Sequence, residues 1–182
     1  MAHALIVVDF QNDFTPGGAL AVRDGDVIAA RINGLASSGD FELVVATRDW
    51  HPAGHGSFAD QGGTWPPHCV QGTMGAELHP ALERAHLDVV LDKGEDPEAD
   101  GYSGFENPEL ARLLAERGID EVTVVGLATD YCVKRTALDA LREGLRVRVD
   151  PAATRGVNVD AGDDQRALDE LRAAGAEVAS GE

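Results

Sequence analysis

Lysine is nearly missing from this sequence: Lys93 and Lys134 are its only two, against thirteen arginines. Arginine neither gives up its proton nor offers a compact ammonium, whereas lysine does both, so each lysine kept in such a chain merits inspection. Cysteine is scarce as well. Cys69 and Cys132 are too few for a disulfide scaffold and are expected to be thiols. No apolar run approaches the ~20 residues that span a bilayer, so no membrane partner is expected. The opening MAHALIVVDFQNDF lacks the basic start of a secretion signal, and its apolar run stops at Asp9, so a cytoplasmic location is expected. Basic residues number 15 against 32 acidic ones, for a net charge of −17 and a pI near 4.5. That balance argues against nucleic acid, whose phosphates require basic patches. The acidity is spread along the chain, and solubility accounts for it.

What is present is an alternation of strands and helices. ALIVVD (4–9) is a continuous apolar run, as expected of a strand buried on both faces. Residues 25–39 carry apolar positions at helical spacing, and ELVVATRD (42–49) is a second strand. LDVVLDKG (87–94) is the third. NPELARLLAERG (107–118) then places Asn107 as N-cap, Pro108 at the first helical position and Gly118 past the end. EVTVVG (121–126), a helix over 129–144, LRVRVD (145–150), a helix over 160–175 and AEVAS (176–180) complete the set. The expected fold is one α/β domain over residues 1–182, with a six-stranded, doubly wound parallel sheet, helices on both faces and Rossmann-like layering.

Residues 50–80 and 93–106 break this economy of short connections. Both are long, rich in Gly, Pro, His and aromatics, and follow the carboxyl end of a strand, where open α/β sheets bind ligands. Asp9, Lys93 and Cys132 fall at or after three strand ends and could converge. A cysteine near a helix end and beside an ammonium has its thiolate favoured, and a nearby carboxylate can carry its proton. Taken singly each has an ordinary reading: a turn cap, a solvated cation, a small core residue.

Asp49, His51, His55 and His68 form a second cluster, in RDWHPAGHGSF and WPPHCV. Imidazole and carboxylate ligands suit Zn²⁺, Fe²⁺ or Mn²⁺, and such a set leaves coordination positions open. Surface histidines beside a turn-capping Asp are the plain alternative. In VVGLATDYCV (124–133) a strand runs through a tight turn into a helix, a geometry that can aim backbone N–H groups at an oxyanion. Of nine aromatics, Phe14, Trp65 and Tyr102 lie among these polar candidates, as flat walls for a small aromatic ligand would.

DFQNDF (9–14), ATRDWH (46–51), WPPHCVQGTMGAELHP (65–80), DKG (92–94), YSGFEN (102–107) and VVGLATDYCV closely resemble the nicotinamidase/pyrazinamidase group of isochorismatase-like cysteine hydrolases, in order, from residue 4 to about 158. The resemblance implies a triad of Asp9, Lys93 and Cys132. It implies one divalent transition metal, Zn²⁺ first with Fe²⁺ or Mn²⁺ as alternatives, on Asp49, His51, His55 and His68. It further implies an oxyanion hole from the N–H groups of Ala128 and Cys132, a cis peptide between Leu127 and Ala128, and a pocket walled by Phe14, Trp65 and Tyr102.

The activity implied is hydrolysis of nicotinamide, and of pyrazinamide, through a thioester, with the metal orienting the ring, as a step of pyridine nucleotide salvage. The sequence departs from the pattern at Tyr131, where many nicotinamidases carry His, and in the acidic stretch GEDPEADG (94–101). Two competitors follow from the same letters. One is a sister amidohydrolase acting on another amide or an N-carbamoyl compound; the other is a silent binding module, which has no use for Asp, Lys and Cys at three strand ends. A homo-oligomer is compatible with the sequence, but no feature marks an interface.

Overall fold

The computed structural model describes residues 2–179. Six parallel strands, β1 (Ala2–Val8), β2 (Leu43–Asp49), β3 (Val89–Lys93), β4 (Ile119–Leu127), β5 (Arg146–Arg155) and β6 (Glu177–Val178), form one sheet in the order β3-β2-β1-β4-β5-β6. Ser180, expected to end the last strand, lies outside the described residues. Successive side chains on a strand face opposite ways, so β1 feeds two cores at once. Ala4, Ile6 and Val8 join one apolar cluster, while Leu5 and Val7 join the other, and all five are fully buried.

Of the four α-helices among the described residues, three cover the first cluster: α2 (Pro108–Glu116), α3 (Lys134–Arg142) and α4 (Asp163–Ala174). Their buried residues recur at helical spacing, as in Leu110 and Leu114, Ala137 and Ala140, and Leu168 and Leu171. The other face is covered by α1 (Ala29–Ala36) together with the long connection after β2, which contributes Cys69, Ala76, Leu78 and Leu82. The expectation of helices on both faces therefore holds, with a loop doing half of the second layer. Asn107 caps α2 as expected, its side chain accepting from the Glu109 N–H, with Pro108 in the first turn.

Two expected elements differ in detail. The helix of 129–144 opens as a π-helical turn over Thr129–Val133 before α3 begins, and that turn carries Cys132. The fifth strand continues through Pro151 to Arg155, since its register with β4 shifts between Val124 and Gly126 and resumes at Thr154. Among the described residues no helix is long and apolar enough to cross a membrane.

The strand order reverses at β1, between β4 and β2, which is where open α/β sheets form their ligand crevice. Register brings the relevant ends together. Val8 pairs with Thr47 on one side and Gly126 on the other, and Asp49 pairs with Lys93. Gly126, at φ +111°, admits no side chain, because a Cβ there would come within 2.1 Å of the Val8 carbonyl oxygen.

Candidate active site

Asp9 follows β1 at a positive φ of 47° and is fully buried. Its Oδ1 accepts from the Thr47 hydroxyl at 2.8 Å, and its backbone N–H donates to the Thr47 carbonyl. Lys93, the last residue of β3, places Nζ 2.8 Å from Asp9 Oδ2, 2.6 Å from Asp49 Oδ1, 2.6 Å from the Gly101 carbonyl and 3.7 Å from Cys132 Sγ. The three residues expected to form a triad are thus in one buried group. The Lys93 contact to Asp9 Oδ2 is an ion pair without hydrogen-bond alignment, and that oxygen has no directional donor. Carboxylate oxygens of Asp9 and Asp49 and the Cys132 sulfur all lie within 4.8 Å of one another, so the Cys132 S–H is the donor at hand.

Two carboxylates share one ammonium, and they divide its effect unequally. Burial pushes the Asp9 carboxyl up to about 6, against the pull of Lys93. For Asp49 burial acts the same way, but Lys93 and His51 outweigh it and hold the carboxyl well below the ordinary range. Asp9 is therefore the group able to carry a proton near neutral pH, while Asp49 stays ionised. Burial would strip Lys93 of its proton, yet Asp49 and Asp9 push its pKa well above the usual lysine value. Burial also raises the Cys132 thiol far above its ordinary range; Lys93 opposes this, and Asp9 and Asp49 add to it. Desolvation and two carboxylates thus work against the thiolate expected from the sequence, and the Lys93 ammonium works for it.

Beside this group stands the histidine cluster. Ligand atoms of Asp49, His51 and His68 lie within 4.8 Å of one another, all buried. Each of these two imidazoles has Nδ1 against a backbone carbonyl, His51 with Gly94 at 2.7 Å and His68 with Pro66 at 2.8 Å. An Nδ1–H donated to a carbonyl leaves the Nε2 lone pair free for a metal ion. His55 falls outside the 4.8 Å group, but its ring centroid is 4.0 Å from that of His51. Its Nδ1 meets the Ser57 hydroxyl at 2.7 Å, while its buried Nε2 has no partner. An unpaired polar atom in a fully buried residue is costly, and a metal ion would satisfy it. The donor set fits a divalent transition ion. Gly94 permits this packing, since a Cβ there would meet His51 Cε1 at 2.5 Å.

Phe14, Trp65, Tyr102, Ala128 and Cys132 line one cavity, together with the polar side chains of Asp49 and His68. The Trp65 indole N–H donates to the Tyr102 hydroxyl at 3.0 Å. The Leu127–Ala128 peptide is cis, as expected. Leu20, Tyr131 and Val157 complete the wall, and Tyr131 meets Trp65 edge-on at 5.0 Å between ring centroids.

Sequence reading missed the residues that hold these groups in place. The Gln11 amide, fully buried, donates to the Asp49 and Ala76 carbonyls and accepts from the Asp49 N–H, all at 2.8 Å. Asp13 Oδ2 accepts from the Cys69 N–H at 2.7 Å, next to His68. Both lie in the hexapeptide DFQNDF, whose polar letters were the available signal.

The isochorismatase-domain family model matches residues 3–182. The chain belongs to the isochorismatase family. Escherichia coli nicotinamidase is 46% identical to it, across 96% of this chain and 92% of that protein. The nicotinamidase/pyrazinamidase of Mycobacterium tuberculosis is 47% identical, across 97% of each. Among solved structures, PnC1 from L. infantum in complex with nicotinate superposes with a TM-score of 0.93 at 40% identity, covering 98% of this chain and 92% of that one. Pyrazinamidase of Pyrococcus horikoshii in complex with zinc does so at 0.90 and 43% identity, covering 100% of both. The family assignment agrees with the resemblance carried by the sequence motifs and with the parallel six-stranded sheet.

Proposed function

We propose that this isochorismatase-family protein is a nicotinamidase, hydrolysing nicotinamide to nicotinate and ammonia, and pyrazinamide likewise, through a thioester on Cys132. The observation that carries this reading is the single cavity in which Cys132 and Ala128 face three aromatic walls and the Asp49/His68 side of the histidine cluster. The nicotinamidase relatives, alike over nearly the whole chain, support it.

In this reading Phe14, Trp65 and Tyr102 flank the ring of the substrate. Asp9 takes the Cys132 proton, and the sulfur attacks the carboxamide carbon while Lys93, at 3.7 Å, offsets the charge on it. The N–H groups of Ala128 and Cys132 stabilise the oxygen as it becomes negative. Asp9 passes its proton to the leaving nitrogen, ammonia departs, and the thioester remains. A water that gives a proton to Asp9 then attacks the thioester carbon, nicotinate leaves, and the proton returns to the sulfur. Asp49, His51, His55 and His68 would hold a divalent transition metal, Zn²⁺ first with Fe²⁺ or Mn²⁺ as alternatives, which would supply a Lewis acid for orienting the ring.

In this reading the protein acts on a small aromatic amide in the cytoplasm, as a step of pyridine nucleotide salvage. The test is ammonia release from nicotinamide, pyrazinamide and an N-carbamoyl amino acid, before and after chelation and with Zn²⁺, Fe²⁺ or Mn²⁺ restored. Turnover of the two aromatic amides is expected, lost with chelator and regained with metal. Ammonia from the N-carbamoyl compound alone would reassign the substrate, and none from any would defeat the reading.

A further inference from the structure

Asp130 sits two residues before Cys132 on the π-helical turn and is 7% exposed. A carboxylate this buried would ordinarily be met by a cation. Here its two oxygens instead accept backbone N–H groups, Oδ1 from Val157 at 2.9 Å and Oδ2 from Asn158 at 2.8 Å. Those two residues follow β5 in a segment of no regular structure. Val157 lines the same cavity as Cys132, Phe14, Trp65 and Tyr102. Asn158 adopts a left-handed φ of 54°, and its side chain accepts from the Asp164 N–H in the first turn of α4. One carboxylate therefore ties the turn carrying the sulfur to the segment forming a wall beside it. Paired N–H donors to a charged carboxylate are among the stronger hydrogen bonds, and their geometry fixes both partners.

We infer that Asp130 is a positioning residue for substrate: it hangs the Val157 wall on the nucleophile turn and so sets the fit of the ring in the cavity. The inference rests on the proposed nicotinamidase activity for its kinetic reading. Removing the carboxylate leaves two part-buried N–H groups without their acceptors, and the Val157 segment is expected to shift away from the cavity. Ring contact is lost, while Cys132, on a turn whose Tyr131 and Val133 N–H groups both donate to the Ala128 carbonyl, keeps its place.

The test compares Asp130→Ala, Asp130→Asn and Val157→Ala with the unaltered protein. KM for nicotinamide is expected to rise about tenfold in Asp130→Ala and Val157→Ala, with kcat falling less than about threefold. Asp130→Asn, whose amide can accept from only one of the two N–H groups, is expected to fall between. Alkylation of Cys132 by iodoacetamide, mapped by mass spectrometry, should proceed at an unaltered rate. Should Asp130→Ala fail to fold, the other two variants carry the comparison.

Unchanged KM in the folded variants, or equal losses in kcat and Cys132 alkylation, would overturn the inference and leave Asp130 a fold residue of the turn. Hydrogen exchange at the Val157 and Asn158 amides needs no substrate: faster exchange in Asp130→Asn is expected, and unchanged exchange would also overturn it. An unaltered protein that releases no ammonia from nicotinamide would instead count against the proposed function, with the exchange result still deciding the anchor.

Discussion

Asp49 pairs with Lys93 across β2 and β3, and its Oδ1 accepts a hydrogen bond from the Lys93 ammonium at 2.6 Å. The same carboxylate has a ligand atom within 4.8 Å of those of His51 and His68. The proposed nucleophile group and the proposed metal cluster are therefore joined by a shared charge. Whatever changes Lys93 is felt on both sides.

Lys93→Arg is the sharpest test of that coupling. The chain uses arginine almost everywhere else, but at this position the side chain is fully buried among two carboxylates, a carbonyl and a sulfur. A planar guanidinium does not fit a site built for a compact ammonium. Turnover is expected to fall by roughly a thousandfold or more, with stability reduced by about 3–5 kcal/mol as the carboxylates lose their partner. Ammonia release and urea denaturation together check it.

Cys132→Ala separates chemistry from metal binding. Ammonia release should vanish, while bound metal measured by elemental analysis stays near the unaltered level, because Cys132 lies outside the Asp49/His51/His68 group. Full activity in this variant would remove the nucleophile assignment.

Asp9 makes stability depend on pH in a defined direction. Its carboxyl rises from an ordinary value of 3.8 to about 6 on folding, chiefly through burial. A group raised in this way contributes stability that is fully present below the unfolded value and lost as pH climbs through the folded one. Between pH 4 and pH 7 the unaltered protein should therefore lose stability relative to Asp9→Asn, by at most about 3 kcal/mol. Urea midpoints of the two proteins across that range give the difference; a difference that does not vary with pH would refute the assignment.

Gln11→Glu keeps the shape of the side chain and turns two donated hydrogen bonds into oxygen–oxygen contacts with the Asp49 and Ala76 carbonyls. Asp49 should lose its fixed placement. Metal affinity, measured by chelator competition, is expected to fall about 10–100-fold, the usual effect of removing a group that orients a ligand.

Much of this was legible in advance where the physics is local. The apolar run at 4–9, the Asn107–Pro108 start of α2 and the alternation of strand and helix each follow from side-chain periodicity and capping, and each appears in the structure. The candidate site residues were legible as chemistry at strand ends. Gln11, Thr47, Asp13 and Asp130 were not, because nothing in their own neighbourhoods distinguishes an amide, hydroxyl or carboxylate that caps a turn from one that reaches residues distant in sequence, the farthest 65 positions away. The π-helical turn at Cys132 was missed for a related reason, since its apolar spacing matches that of the helix it precedes.

By itself the sequence determined the order of elements, the motif set shared with the family and the scarcity of lysine that first singled out Lys93. Tertiary structure alone decided how the charges act. Whether Cys132 rests as thiol or thiolate, and which of Asp9 and Asp49 carries the proton, depends on how deeply each is buried and which neighbours lie within a few ångströms. Those distances exist only once β1, β2, β3 and β4 lie side by side, with their carboxyl ends brought to one edge. Electrostatic energy falls with distance and rises with desolvation, and neither quantity is written in the order of the letters.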